Sequence, residues 1–216
     1  MIVLGLTGSI AMGKSTAAAQ FRRLGMPVHD ADAVVHRLLG AGGQAVAAVE
    51  AAFPGVGRDT PQGRLIDRKA LGHIVFADQA RLRDLEAVLH PAVRRAEQQF
   101  LARAARRRCR LVVLDIPLLF ETGGERRCDA VAVVSAPAFV QSQRALRRSG
   151  MDAKRLAAIL AEQMPDREKR RRATFTIPTG QGRRFSLRVI RRILATTRNW
   201  RSRHWPLSPR GGRGHA

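Results

Sequence analysis

Five short apolar runs along this chain have the length of buried β-strands. Two of them, residues 110–115 and 128–135, are almost continuously apolar, a pattern typical of central parallel strands that are covered on both faces. The other runs are residues 1–6, 28–30 and 174–177. Stretches with helical character separate these runs, beginning with residues 15–21. Alternation of this kind predicts an α/β fold with a parallel sheet.

The segment from residue 33 to about residue 108 reads as helical, with breaks at turns. Leu82, Leu85 and Leu89 fall on one helix face. We expect Pro91 to interrupt that helix, because proline disfavours helical backbone in the preceding residue. On this interpretation His90 is a structural cap more than a ligand. The block predicts an inserted or covering helical subdomain. Further helices are predicted around residues 143–148, 152–164 and 188–194.

The loop after the first predicted strand carries the chain's most specific motif. Residues 8–15 read G-S-I-A-M-G-K-S and fit the phosphate-binding P-loop pattern. Gly8 and Gly13 let successive backbone N–H groups point into one hollow at a helix N-terminus, which binds phosphate oxygens. Lys14 then reaches the outer phosphates, and the Ser15 hydroxyl is a suitable ligand for Mg²⁺. A strand before the motif and a helix after it favour a nucleotide site over a chance glycine-rich turn.

Acidic residues follow two of the predicted strands, at the end where α/β folds bind their ligands. Asp32 is a candidate catalytic carboxylate and also a candidate N-cap of a helix that starts at Ala33, two roles that are not exclusive. Asp115 ends the most apolar strand, where a P-loop protein places an acid that holds Mg²⁺ directly or through water. The alternative for Asp115 is a capping carboxylate. Glu121 either contacts substrate or caps a turn.

Two arginine-rich helical stretches meet near Gly150 and suggest a lid, assigned to residues 137–165. Phosphoryl transfer needs cations over the transferring group. Solvated helix faces are the alternative interpretation of the same charges.

The positive charge of the chain is large and uneven. Its formal net charge is +22, from 39 Lys and Arg against 17 Asp and Glu. Only four of these cations are lysines, a bias that often reflects genomic base composition. After Glu168 the chain has 14 cations and no acid. The remainder of the chain, up to Glu168, has a moderate positive net charge, which suits an enzyme that acts on polyanionic substrates. We expect the aperiodic basic tail, residues 196–216, to be disordered.

Cysteine content and hydropathy favour a cytoplasmic protein that has no membrane partner. Cys109 and Cys128 are the only cysteines, and neither belongs to a C-x-x-C pair that would indicate a disulfide framework or a zinc site. No run of 18 apolar residues is present. The apolar N-terminus lacks the basic region of a signal peptide and is already part of the P-loop unit.

In their order along residues 1 to about 195, these motifs resemble the dephospho-CoA kinase family. The matching segments are residues 5–16, 29–32 (H-D-A-D), 89–91 (L-H-P), 115–121 (D-I-P-L-L-F-E), 143–144, 163–165 and 177–180. The family transfers the γ-phosphoryl group of ATP to the ribose 3′-hydroxyl of dephospho-CoA with Mg²⁺, the last step of coenzyme A synthesis. The resemblance implies an α/β, P-loop NTPase-type three-layer fold with a five-stranded parallel sheet, an inserted helical substrate domain and a lid. It assigns the core to residues 1–32, 109–136 and 173–195, and the CoA-binding part to residues 33–108.

The resemblance also assigns roles to individual residues. Asp32 would orient or deprotonate the acceptor hydroxyl, with Lys14 and Arg144 as further catalytic residues. ATP contacts are implied for Gly8, Ser9, Ile10, Ala11, Met12, Gly13, Lys14, Ser15, Thr16, Arg148, Thr179 and Gly180. Substrate contacts are implied for Asp32, His90, Pro117, Leu118 and Glu121, and Mg²⁺ contacts for Ser15 and Asp115.

Three features depart from the family pattern. Glycine is usual where Ala11 stands, and the added methyl group in a tight loop is expected to weaken nucleotide binding. A carboxylate or small residue is usual near Thr174. The basic tail after about residue 197 lies outside the pattern.

Two other functions compete with this interpretation. One is a P-loop kinase for a nucleoside monophosphate or a sugar acid, which the H-P and D-I-P-L-L-F-E segments argue against. The other is nucleic-acid binding through the tail, where clustered cations would neutralise phosphates and Trp200 and Trp205 would stack on bases. No RNA- or DNA-binding motif accompanies the tail.

Overall fold

The structure, a computed structural model, describes residues 1–205 apart from the side chains of residues 76 and 77. Its strands are β1 (Ile2–Thr7), β2 (Val28–Asp30), β3 (Gly57–Arg58), β4 (Leu65–Ile66), β5 (Leu111–Asp115), β6 (Ala130–Ser135) and β7 (Phe175–Pro178). Its α-helices are α1 (Lys14–Arg23), α2 (Ala31–Leu39), α3 (Val46–Ala52), α4 (Arg68–Ala77), α5 (Gln79–Arg106), α6 (Ala138–Leu146), α7 (Ala153–Glu162), α8 (Asp166–Arg172) and α9 (Arg183–Thr196). Short 3₁₀ segments cover Gly124–Arg127 and Thr197–Asn199.

A five-stranded parallel sheet has the order β2-β5-β1-β6-β7. Strand β1 occupies the centre, with Leu6 opposite Asp115 of β5 and Thr7 opposite Val133 of β6. Because the carboxyl ends of parallel strands meet at one edge, the loop that follows β1 leaves the sheet beside the ends of β5 and β6. The predicted α/β class and the five parallel strands are confirmed.

Both faces of this sheet are buried, as its apolar strands predicted. On one face, Leu4 and Leu6 pack in a cluster with Phe21 of α1 and Ile190 of α9. The neighbouring residue Val3 points to the opposite face, because side chains alternate along a strand, and it is only 1% exposed. Burial on two faces requires covering layers on both sides of the sheet.

The chain divides into two compact units, one formed by Met1–His29 together with the chain from Ala104 onward, the other by Asp30–Arg103. The second unit has its own apolar core, in which Val49 and Phe53 are fully buried. It also contains the hairpin of β3 and β4, in a region whose sequence predicted only helices and turns. The interpretation of this part as a CoA-binding domain stays a prediction.

The predicted break at Pro91 is wrong, because α5, a single helix of 28 residues, continues through this position. Leu89 before the proline and Val93 after it both pack on the core of the second unit. Burial on both sides offsets the hydrogen bond that proline removes. His90 is therefore a residue of the helix interior and not a cap; its exposed ring accepts a hydrogen bond from Arg94 Nε at 3.3 Å.

Residues 197–205 differ from the expected disordered tail. Trp200 stacks on Phe175, with ring centroids 5.8 Å apart. The Asp129 carboxylate accepts hydrogen bonds from Val3 N (2.8 Å), Ser202 Oγ (2.8 Å) and Arg203 N (2.6 Å). These contacts attach the segment to the sheet at the ends where β1 and β6 begin. Residues 206–216, the rest of the predicted tail, lie outside the described range.

Candidate active site

The predicted phosphate-binding loop joins β1 to α1 with the backbone geometry that its glycines permit. A Cβ atom on Gly8 would lie 2.7 Å from the carbonyl oxygen of Val134, so this position requires glycine. Gly13 has φ 90° and is the N-cap of α1. Lys14 is therefore the first helical residue, and the loop's N–H groups lie at a helix N-terminus, a favourable place for phosphate.

Ala11 adopts the left-handed conformation, with φ 60°. This region costs an L-residue about 1–2 kcal/mol relative to glycine. The side chain is buried at 6% exposure and packs with Ala145 of α6 and Leu156 of α7. The methyl group that departs from the family pattern thus contacts the predicted lid.

Lys14 and Asp115 form an ion pair at the carboxyl edge of the sheet. Lys14 Nζ lies 2.6 Å from Asp115 Oδ1, with side-chain exposures of 18% and 4%. Asp115 ends β5 beside β1, and Lys14 begins α1 after β1. The fold therefore brings together two site residues separated by 101 positions in the chain. Ser15, in the first turn of α1, is exposed.

Thr179 connects the phosphate-binding loop to the predicted lid. Its hydroxyl donates to the carbonyl oxygen of Met12 at 2.6 Å and accepts from Arg144 Nη1 at 3.1 Å. Arg144 Nη2 also donates to the Thr179 carbonyl oxygen at 2.7 Å. A Cβ atom on Gly180 would approach Pro137 Cδ to 2.7 Å. The loop after β7, the start of α6 and the phosphate-binding loop are therefore in direct contact.

Two glutamines that carried no predicted role hold the Ile10 backbone. Gln141 Nε2 donates to Ile10 O at 2.9 Å, and Gln163 Oε1 accepts from Ile10 N at 3.0 Å. Gln141 belongs to α6, and Gln163 follows α7 at the end of the predicted lid. Sequence separations of 131 and 153 residues left no local signal for either contact. Both glutamines tie the lid to the loop.

Glu121 is paired with a lysine that the sequence analysis did not single out. Lys169 Nζ lies 2.8 Å from Glu121 Oε1, and the Lys169 side chain is 0% exposed. The same oxygen accepts from Met164 N at 2.9 Å. Burial alone would raise the pKa of Glu121, but Lys169 and the backbone N–H groups outweigh it and hold that pKa below its ordinary value. Glu121 thus joins the segment after β5 to the end of the lid and to α8.

Helix α8 itself was not predicted, although its sequence carries a charge signal. Asp166 and Glu168 lie in its first turn, and its last turn consists of four cations, residues 169–172. Acids near the N-terminus and cations near the C-terminus of a helix are both stabilised by the helix dipole. This order of charges could have indicated the helix.

Asp32 is exposed and lies in the first turn of α2, in the second unit. The capping alternative is wrong for Asp32, because the N-cap is Asp30, whose side chain accepts from Ala33 N at 3.0 Å. Within residues 1–205 no hydrogen bond or ion pair engages the Asp32 carboxylate. It is therefore available to a ligand.

The remaining predicted site residues have diverse surroundings. The Pro117 carbonyl oxygen accepts from Thr7 Oγ1 at 2.8 Å, and Leu118 is 41% exposed. Arg148 is exposed just beyond α6. Substrate contacts of Pro117, Leu118, Glu121 and His90 stay predictions, as does the ATP contact of Arg148.

The described residues contain neither a metal-binding cluster nor a membrane-spanning helix. Over residues 1–205, no group of three or more His, Cys, Asp or Glu side chains is arranged to hold a metal ion. In the same range, none of the helices has both the length and the apolar character needed to cross a membrane.

Comparison with known proteins agrees with the geometry. The family model described as dephospho-CoA kinase matches residues 2–182. The chain is 61% identical to dephospho-CoA kinase of Paramagnetospirillum magneticum, over 98% of this chain and 96% of the relative. It is 57% identical to the enzyme of that name from Rhodospirillum rubrum, with both chains fully covered. Among solved structures, TT1252 from Thermus thermophilus matches with a TM-score of 0.78 and 38% identity, over 90% of this chain and 97% of that one.

Proposed function

The chain belongs to the dephospho-CoA kinase family, and we propose that its residues carry out the reaction of that family in the roles given below. The reaction is ATP-dependent phosphorylation of the 3′-hydroxyl of dephospho-CoA, which gives coenzyme A and ADP. The observation that supports these roles best is the phosphate-binding loop with Lys14 held 2.6 Å from Asp115. Under this proposal the protein is a transferase of coenzyme A biosynthesis.

The phosphate-binding loop positions the donor nucleotide. Its backbone N–H groups at the start of α1 bind the β- and γ-phosphates, and Lys14 adds a positive charge. Asp115 holds the ammonium group of Lys14 beside the loop that binds these phosphates. The phosphate oxygens of the nucleotide and the Asp115 carboxylate both attract the Lys14 ammonium group.

The donor set of the site suits Mg²⁺. This cation is commonly held by one or two protein oxygens together with substrate phosphates and water, so the lack of a multi-residue cluster in residues 1–205 is compatible with it. The Ser15 hydroxyl and the Asp115 carboxylate are hard oxygen ligands of the appropriate kind. When bound, the cation neutralises charge that develops on the transferring phosphoryl group.

Asp32 acts on the acceptor. Its exposed carboxylate is not used as a cap, and it accepts the proton of the 3′-hydroxyl while orienting that oxygen for attack. The 3′-oxygen then forms a bond to the γ-phosphorus of ATP while the bond to the β–γ bridging oxygen breaks, and ADP leaves.

The lid arginines stabilise the charge of the transferring group. Arg144 is already oriented by two hydrogen bonds to Thr179. Arg148 lies one turn further along the chain and meets the phosphates on lid closure. Closure excludes water and thereby limits hydrolysis of ATP. The loop at Thr179 and Gly180 contributes to the nucleotide site. We also propose a cytoplasmic location, because the two cysteines are free thiols, as is usual in a reducing compartment.

Product analysis tests this function. The purified chain is incubated with Mg-ATP and dephospho-CoA, and coenzyme A and ADP are quantified by chromatography. We expect equal amounts of both products, and Lys14→Ala is the matched variant expected to lose activity. Faster turnover of a nucleoside monophosphate or of a sugar acid would contradict the assigned acceptor. ADP without coenzyme A would indicate hydrolysis or a different acceptor.

A further inference from the structure

The second unit contains a basic cleft of about 390 Å³ that no role assigned so far explains. It lies among α2, the β3–β4 hairpin and the start of α4. Four of its lining residues carry cationic or imidazole side chains, namely His36, Arg58, Arg68 and Lys69. All four are exposed. The cleft therefore presents positive charge to solvent.

The cations of this cleft have no acidic partner within ion-pair distance in residues 1–205. The acids of the neighbouring hairpin are already engaged, because Arg64 binds both Glu50 and Asp59. Asp67 lines the cleft, but its carboxylate accepts from Lys69 N at 2.9 Å and from Ala70 N at 3.2 Å as the N-cap of α4. Those N–H groups, together with the nearby charges of Arg58 and Lys69, hold the pKa of Asp67 below its ordinary value. Asp67 offsets part of the charge of Arg58 and Lys69, and the three cations of the cleft together exceed this one carboxylate.

His36 is oriented toward the same ligand. Arg68 Nη1 lies 3.2 Å from His36 Nδ1, so in this arrangement Nδ1 is the acceptor and the ring proton is on Nε2. The contact fixes the imidazole and also orients the guanidinium. Two side chains from different elements, α2 and α4, are therefore organised around one cleft.

The cleft is one helical turn from the proposed base. Asp32 and His36 are four residues apart on α2, so their Cβ atoms lie about 6 Å apart on the same helix face. In dephospho-CoA only a few covalent bonds separate the ribose 3′-hydroxyl from the 5′-diphosphate. An acceptor hydroxyl at Asp32 therefore places a doubly charged diphosphate near His36.

We propose that this cleft binds the 5′-diphosphate of dephospho-CoA through Arg58, Arg68 and Lys69, with His36 as an additional hydrogen-bond donor. The assignment rests on the proposed function and deepens it by naming the charged subsite of the acceptor. Three cations against a diphosphate form charge-assisted hydrogen bonds, which are stronger than neutral ones. The cleft then holds the acceptor through a group that takes no part in the reaction.

The test is steady-state kinetics of the full chain at saturating Mg-ATP. For the double variant Arg68→Gln/Lys69→Gln we expect KM for dephospho-CoA to rise about tenfold or more. The turnover number and KM for ATP should stay within about twofold of wild type, because binding is lost equally in the ground and transition states. KM should also depend less on salt concentration than in wild type.

Matched variants separate charge from folding and from general electrostatics. Arg68→Lys/Lys69→Arg keeps the charge and should change KM by less than about threefold. Arg58→Gln, on a different element, should raise KM in the same direction. Arg95→Gln removes an exposed arginine of α5 in the same unit and should leave KM unchanged. Circular dichroism checks that every variant retains its helix content.

Each other outcome overturns a specific part of the reasoning. An unchanged KM in the double variant, or an equal rise in Arg95→Gln, overturns the diphosphate site while leaving the kinase assignment intact. A fall in turnover at constant KM also overturns it, because the cleft would then act on the chemical step. If wild-type protein does not phosphorylate dephospho-CoA, the proposed function itself fails.

Discussion

Replacing Glu121 by glutamine removes the carboxylate that is paired with the fully buried Lys169. The ammonium group of Lys169 lies 2.8 Å from Glu121 Oε1 and is 0% exposed, whereas the Glu121 side chain retains 18% exposure. Glu121→Gln therefore leaves a cation in the interior without its counter-charge. The converse variant, Lys169→Met, leaves a carboxylate that water still reaches and that still accepts from Met164 N.

The magnitude follows from this asymmetry. Breaking a buried pair by removing one partner costs about 3–5 kcal/mol. We expect Glu121→Gln to cost about 3 kcal/mol, the lower end of that range, because Glu121 is partly exposed. For a domain of this size that corresponds to a fall in Tm of roughly 6–12 °C. Lys169→Met should lower the free energy of unfolding by less than Glu121→Gln does. The double variant leaves no unpaired buried charge, so its loss of stability should differ from the sum of the two single losses by about 1–3 kcal/mol.

The assay is urea unfolding followed by circular dichroism for wild type, the two single variants and the double variant. Glu168→Gln is a suitable control, since its exposed pairs with Arg171 and Arg172 on α8 should contribute little. Strictly additive costs, or an unaltered free energy of unfolding in Glu121→Gln, would refute the reasoning. Kinetics well below the Tm separate the two roles of Glu121: a selective rise in KM for dephospho-CoA would instead indicate a substrate contact.

The pH dependence of this stabilisation has a definite sign. The pKa of Glu121 in the folded protein lies below its ordinary value of 4.5. Its contribution is therefore fully present above that ordinary pKa, and it is lost as the pH falls through the lowered one. The difference in stability between wild type and Glu121→Gln should be constant near neutral pH and should shrink only in acid.

Three further changes test other parts of the molecule. Asp32→Asn should lower turnover by about 10²–10⁴-fold with little change in ATP binding, because proton acceptance acts in the transition state; near wild-type turnover would remove Asp32 from the mechanism. Gln163→Leu should raise KM for ATP, because it leaves Ile10 N without its acceptor, whereas Gln163→Glu keeps an acceptor and should restore the affinity; equal KM values in both variants would exclude this role. Asp129→Ala should lower the free energy of unfolding by about 2 kcal/mol at unchanged turnover, measured by urea unfolding, since its contacts lie at the amino ends of the strands; a selective loss of turnover would contradict that placement.

Local patterns in the sequence predicted the parts of the fold that depend on neighbouring residues. The phosphate-binding loop could be identified because its turn chemistry lies within eight consecutive positions. The continuous apolar runs predicted buried parallel strands, since only a strand covered on both faces tolerates such composition. Ala11 was marked as a departure, and its φ of 60° gives the physical reason that glycine is usual there.

Where a local rule competed with packing, the local rule failed. Proline statistics predicted a helix break at Pro91, yet apolar residues on both sides keep α5 continuous. The sequence predicted a start of α2 at Ala33, whereas the helix starts at Ala31, and this shift of two residues makes Asp30 the cap. Because of that shift, the Asp32 carboxylate does not cap the helix and can bind a ligand.

The sequence by itself determined the fold class, the phosphate-binding loop and the family of this protein, because these are written in contiguous motifs and periodicities. Only the tertiary structure decided which of four consecutive cations, residues 169–172, is the buried partner of Glu121. It alone showed that Gln141 and Gln163 hold Ile10 across more than a hundred residues of chain. The physical reason is that a polar side chain gains its role from the partner it meets after folding, and that partner is not specified by sequence distance.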